Sequence, residues 1–223
     1  MGKVADVARR TQGPSAGLDR GKIARAAVAL VDRDGLGRFG VRRLAQELEV
    51  DPMSIYHHLK GKAALLDAMS EAVLVEMMAD AGDPPDGWVE TARWIARHYR
   101  DLAYRHPEVF PLLVTRAQTA PVALRALDQL TTAMRVAGLP DRVVADAPMT
   151  LFGFLNGYLL AVCTGQPGAA PAVDPGTYPG LASVAPWQHD YGTAAEFDRL
   201  FDTVLAGLDA RATTGTGAPE AAR

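Results

Sequence analysis

Between Val41 and Leu59 the chain encodes two short helices in close succession, and this pairing constrains the N-terminal part more than any other feature. Leu44, Ala45 and Leu48 share one face of the first helix. Asp51 then supplies an N-cap carboxylate, Pro52 occupies the first helical position, and the second helix runs to about Leu59 before Gly61 stops it. With Val50 in the turn, and Ile55 and Leu59 on the facing side, the apolar positions lock the two helices at a steep angle.

A longer helix precedes the pair. From Asp19 to Asp34 the residues Ile23, Ala27, Leu30 and Val31 recur at helical spacing, with Asp19 as N-cap, Leu18 placed to staple against Ile23, and Gly35 at the end. Another helix follows from about Lys62 to Ala81, striped by Leu65, Leu66, Met69, Val73 and Met77. After the break GDPPDG, helices are predicted near 87–105, 107–116, 120–137, 141–164 and 193–211, with a Pro/Gly-rich loop from about 166 to 192. No strand pattern or internal repeat is evident. The expected fold is all-α: an N-terminal three-helix helix-turn-helix domain (18–64) and a C-terminal helical bundle (65–211), flanked by a disordered basic arm (1–17) and a small-residue tail (212–223).

Charge divides along the same boundary. The net charge is −3, yet residues 1–64 carry 12 Lys and Arg against 7 Asp and Glu, and all four lysines (Lys3, Lys22, Lys60, Lys62) fall there. A basic module joined to an acidic one points to a polyanion met by the N-terminal part alone. Cys163 is the sole cysteine, so neither an intramolecular disulfide nor a Cys-based zinc motif can form. The N-terminus has no secretory pattern and no run of about 18 apolar residues is present, so a cytoplasmic protein with no membrane partner is expected.

Two short helices behind a stabilising one are the arrangement that projects a helix into a DNA major groove. The outward face of the second short helix offers Met53, Ser54, Tyr56, His57 and His58, with Lys60 and Lys62 beyond it and Arg42 at the start of its partner. The stretch LAQELEVDPMSIYHHLKGKAALLDAM resembles the DNA-binding region of the TetR family, without a gap from Leu18 through Val73. The resemblance implies operator DNA as partner. It places Tyr56, His58 and Lys62 as phosphate anchors, Arg42 and Pro52, Met53 and Ser54 as base readers, and His57 beside them.

Departures from the family's tetracycline-responsive members matter. Those carry Gln-Pro-Thr where this chain has Pro52, Met53 and Ser54, so an amide able to read a base is lost and the operator should differ. They have Trp at the position of His57, and a drug-contacting His where Met78 stands, so a tetracycline-magnesium ligand is unsupported. Gly40 replaces the usual Thr cap, a loss of a few tenths of a kcal/mol.

The remainder of such a chain is a ligand-binding and dimerisation domain. Because PMTLFGFLNGYLLAVCTG is apolar nearly all round, it needs cover on several sides; a homodimer through 141–164 and 193–211 (Phe197, Leu200, Phe201, Val204, Leu208) supplies it, and a central helix in a monomer is the alternative. Candidate contacts to an apolar or aromatic small-molecule effector are Trp94, His98, Phe110, Arg116, Met134, Phe152, Asn156 and Tyr158. Trp187 and Tyr191 either cover the pocket or pin the loop.

Other motifs carry little. Gly35, Gly37 and Gly40 spell GxGxxG, but a helix precedes them and no strand does, so no dinucleotide cofactor is expected. Adjacent His57 and His58 point to different sides of a helix and cannot chelate one metal. Cys163, among apolar neighbours, reads as a small buried hydrophobe. The expectation is a repressor released by its effector and not an enzyme. A ligand-independent or activating regulator, and a helical-bundle enzyme using His98 or His106, are the other readings.

Overall fold

The Asp19 carboxylate turns the chain into its first helix, accepting a hydrogen bond from the Lys22 backbone N–H at 2.7 Å. The computed structural model describes residues 17–165 and 173–214, which hold helices and turns and no strand. Helix α1 (Arg20–Asp34) ends where Gly35 takes φ 83°, a backbone state that a Cβ would strain. Helices α2 (Val41–Glu47) and α3 (Pro52–His58) follow, and α4 (Gly61–Ala81) leads out of this headpiece. Gly61, expected as the stop of α3, instead opens α4 with φ 91°. The expected disordered arm and tail lie outside the described residues, except that Gly17 is a turn and the last helix runs on to Thr214.

The headpiece core is the one the apolar spacing predicts. Ile23, Ala27, Leu30 and Val31 of α1 are buried with Leu44, Ala45, Ile55 and Leu59, while Leu48 and Val50 are half-buried against them. Ion pairs tie α1 to α2 at the surface, Arg33 to Glu47 at 2.9 Å and Arg43 to Asp34 at 2.9 Å. Between α2 and α3, Glu49 adopts φ 54°, and its N–H donates to the Gln46 carbonyl while that of Val50 donates to Ala45. A left-handed non-glycine residue costs about 1–2 kcal/mol, which the surrounding packing offsets.

Beyond α4 the chain builds a bundle from α5 (Trp88–Arg105), α6 (Phe110–Thr115), α7 (Pro121–Val136), α8 (Asp141–Thr164), the short α9 (Pro179–Val184) and α10 (Ala194–Thr214). α5 packs on α4, α7 and α8, and α10 lies on α8. α9 and the tight turn Ala185–Trp187 occupy a segment expected as loop. Each is too short for an apolar period to show, and neither buries a residue.

α8 is long and apolar enough, by length and composition, to cross a membrane, although no unbroken apolar run marks it. Only 28% of its apolar stretch is buried in the single chain. Leu151, Leu155 and Leu159 face inward, whereas Met149 (80% exposed), Gly153, Gly157 and Ala161 face out. Phe197, Phe201 and Leu208 are buried within their own chain and Leu200 and Val204 are half-buried, so they seat α10 on α8, while Thr203, Ala206 and Gly207 stay exposed on its other side, open to the second copy of the expected dimer. The Arg100 guanidinium lies over the Phe197 ring at 5.2 Å and reinforces that seat.

Candidate nucleic-acid interface and ligand cavity

α3 owes its direction to its first residue. The Asp51 carboxylate accepts from the Met53 N–H at 2.7 Å and Pro52 fixes the first φ, while Ile55 and Leu59 are buried against α1 and α2. The opposite face is therefore turned to solvent. Met53 is 61% exposed, Tyr56, His57 and His58 are exposed, and Pro52 and Ser54 are half-exposed. Arg42 and Lys62 are exposed at the two flanks, with Lys60 beside them. None of these three cations forms an ion pair among the described residues, in contrast to Arg33 and Arg43, which are held by carboxylates. All eight residues expected at the DNA are thus at least partly exposed, six on α3 and one each at the starts of α2 and α4.

No group of three or more His, Cys, Asp or Glu able to hold a metal occurs among the described residues. Gly35 is the α1 cap and Gly37 lies in a short turn, so GxGxxG serves chain reversal. Burial pushes the Cys163 thiol up, and its Sγ–H contacts the Ala103 carbonyl at 3.5 Å.

A cavity of about 390 Å³ opens between α4, α5, α7 and α8. Its wall is mostly apolar, with Leu74, Met77 and Met78 from α4 and Phe152 from α8. Four polar side chains enter it: Tyr99, Arg116, Gln118 and Asn156. The Tyr99 hydroxyl donates to the Asn156 Oδ1 at 2.9 Å, and burial pushes its pKa up so that it stays protonated. Pro148, within α8, has no N–H to donate and interrupts that helix's hydrogen-bond ladder at the cavity edge.

Of the candidate ligand contacts, Arg116, Phe152 and Asn156 stand in this wall and the others do not. Phe110 is fully buried behind it, edge-on to Tyr99 with ring centres 5.4 Å apart. Met134 is core. Trp94 donates its indole N–H to the Ala81 carbonyl at 3.2 Å, closing the end of α4, and His98 Nδ1 bonds to the Trp94 carbonyl at 2.7 Å. Tyr158 donates to the Glu196 carboxylate at 2.7 Å and so anchors the start of α10. Trp187 is 77% exposed and Tyr191 rests against Tyr158, neither of them at the cavity. Tyr99 and Gln118 were missed: one sits on a helix whose buried face reads as core, the other in a break between helices.

A family model described as bacterial regulatory proteins of the tetR family matches residues 23–69, and one described as a tetracyclin repressor-like C-terminal domain matches residues 81–212. The chain belongs to the TetR family. It is 33% identical over 155 residues to the HTH-type transcriptional repressor DrrR1 of Streptomyces coeruleorubidus, spanning 68% of this chain and 57% of that protein. It is 29% identical over 209 residues to the class A tetracycline repressor protein from transposon 1721 of Escherichia coli, covering 87% of this chain and 92% of that one. A solved structure of a possible TetR family transcriptional regulator from Streptomyces coelicolor A3(2) superposes with a TM-score of 0.75 at 30% identity, over 86% of this chain and 99% of that one. This TetR-family chain is accordingly a DNA-binding transcriptional regulator and not an enzyme. The histidines of the enzyme reading have structural bonds instead, His98 to Trp94 and His106 to Asp32 and Glu76.

Proposed function

We propose that this TetR-family regulator is a cytoplasmic repressor. It acts as a homodimer that places two α3 helices in successive major grooves of a palindromic operator, about 34–36 Å apart, and a small apolar or aromatic effector in the cavity releases it. The observation that carries the reading is the continuity of α4. It begins beside Lys62 at the DNA side and delivers Leu74, Met77 and Met78 to the cavity wall without a break. An effector that favours a tilted α4 changes the separation of the recognition helices, and a coupling of about 1–3 kcal/mol yields a 5–150-fold loss of operator affinity. The names of the relatives, two of them repressors, support the direction of control.

Tyr56, His58 and Lys62 are assigned to phosphates, and Arg42, Pro52, Met53 and Ser54 to base edges, with His57 at the same rim. Dimerisation rests on the uncovered length of α8, where exposed Gly157 and Ala161 allow a second helix to approach closely, and on the exposed side of α10. Selection of bound duplexes from a random-sequence pool tests the reading. Palindromic sites with half-sites about 10 base pairs apart are expected, and enrichment of no duplex at low salt would overturn it.

A further inference from the structure

Among the described residues the cavity wall carries a single charged side chain, Arg116, and no Asp, Glu, His or Lys. An apolar cavity without a carboxylate is a poor host for a cation, whose desolvation would go uncompensated. The free hydrogen-bonding capacity points the same way. Asn156 has its oxygen engaged by Tyr99, which leaves its two N–H donors. Gln118 uses its amide nitrogen on the Leu113 and Arg116 carbonyls, so it offers only its oxygen. Met77 and Met78, with Phe152 and Tyr99, suit the faces and edges of aromatic rings.

Arg116 also faces the DNA side of the molecule. Its Nε donates to the Asp67 Oδ1 at 2.7 Å and its Nη2 to the Ala63 carbonyl at 3.2 Å, both on the first two turns of α4 directly after Lys62. The Asp67 side chain is 52% exposed, so solvent screens its attraction to Arg116 and the pair is a weak one. An anionic oxygen inside the cavity meets the same guanidinium in a drier setting, where a charge-assisted bond is stronger.

We infer that the effector is a planar aromatic acid whose anionic oxygen takes Arg116 in competition with Asp67. Asp67 and Ala63 hold the Nε and Nη2 donors, so an anionic group that takes the guanidinium in a two-pronged grip must draw on a donor that Asp67 holds, and the ligand's charge itself loosens the helix that leads to the DNA. This rests on the reading of the cavity as the effector site.

Two naphthalene dyes with the same ring skeleton test it on the full-length protein. 1-Anilinonaphthalene-8-sulfonate carries an anionic group, and N-phenyl-1-naphthylamine lacks it. Fluorescence titration should show the sulfonate binding about tenfold more tightly. Arg116→Gln should bring the ratio of affinities close to one, and Asp67→Asn, which removes the competitor, should raise it several-fold. Should Arg116→Gln fail to fold by circular dichroism, Asp67→Asn decides, and an unchanged ratio there overturns the inference. Ala126→Trp, which fills the cavity, separates the two ideas. Dye binding that this variant leaves undiminished overturns the cavity as ligand site. Binding that it abolishes, with no preference for the sulfonate in the unmutated chain, overturns the anion assignment alone.

Discussion

His106 Nδ1 lies 2.7 Å from the Asp32 carboxylate, joining the C-terminal end of α5 to α1 and hence the bundle to the headpiece. The same ring approaches Glu76 of α4 with Nε2 at 3.5 Å, so three elements converge on one imidazole. Arg105 competes for Glu76 at 2.6 Å, and Asp80, Asp101 and His98 border the site. His106 is almost fully buried, which makes its protonation a property of the joint rather than of solvent.

The hydrogen bond to Asp32, with the charges of Asp32 and Glu76, raises the His106 pKa above 6.5 against the opposing effect of burial. A group raised in the folded state stabilises fully below its unfolded value, and that contribution disappears as pH rises through the folded value. The melting temperature should therefore fall as pH climbs above 6.5, and His106→Gln should flatten that part of the profile. Calorimetry of both proteins in matched ionic strength checks it; parallel profiles would refute the assignment.

At the DNA face, Lys62→Ala should weaken binding about equally on all duplexes and lower the salt slope by about one. Arg42→Ala should instead cost about 1–3 kcal/mol on the selected site and relax preference at one base position. Titrations at several salt concentrations with selected and scrambled duplexes separate the two. Identical behaviour of the variants would mean that the division into anchors and readers is wrong.

Asp51 sets the orientation of α3 through one bond to the Met53 N–H. Asp51→Ala should cost about 0.5–2 kcal/mol of headpiece stability. DNA affinity should fall further than Tyr56→Phe alone produces, because the whole outward face shifts. Hydrogen exchange at α3 amides reports the first effect and mobility shift the second.

How much of this was readable beforehand differs between the two halves for a physical reason. The headpiece is written in local terms: Asp19, Asp51 and Pro52 mark helix starts, and the spacing of Ile23, Leu44, Ile55 and Leu59 fixes which faces meet. The cavity is not local. Tyr99 and Asn156 bond across 57 positions, and nothing near either residue marks the other. Choosing aromatic and polar residues on the middle helices found Arg116, Phe152 and Asn156, but also took Trp94 and Tyr158, whose polar atoms close a helix end and anchor α10. On α10 the apolar stripe reads as an interface, and part of it also holds the helix to its own chain. Large side chains seat the helix on α8, and the side left exposed carries small and polar residues such as Thr203, Ala206 and Gly207.

The uncovered face of α8 yields the last prediction. An added Cβ at Gly157 meets nothing within 4 Å in the single chain, and the residue is exposed in the middle of α8. Gly157→Arg should thus leave the monomer fold intact and even favour the helix by about 0.5–1 kcal/mol, since glycine is a poor interior helix residue. In a dimer packed through α8 the same side chain would drive a long cation between two closely approaching helices. The variant should sediment as a monomer with an unchanged circular dichroism spectrum, and should lose most affinity for a palindromic site while retaining weak half-site binding. A Gly157→Arg protein that still sediments as a dimer would place the second copy on another face.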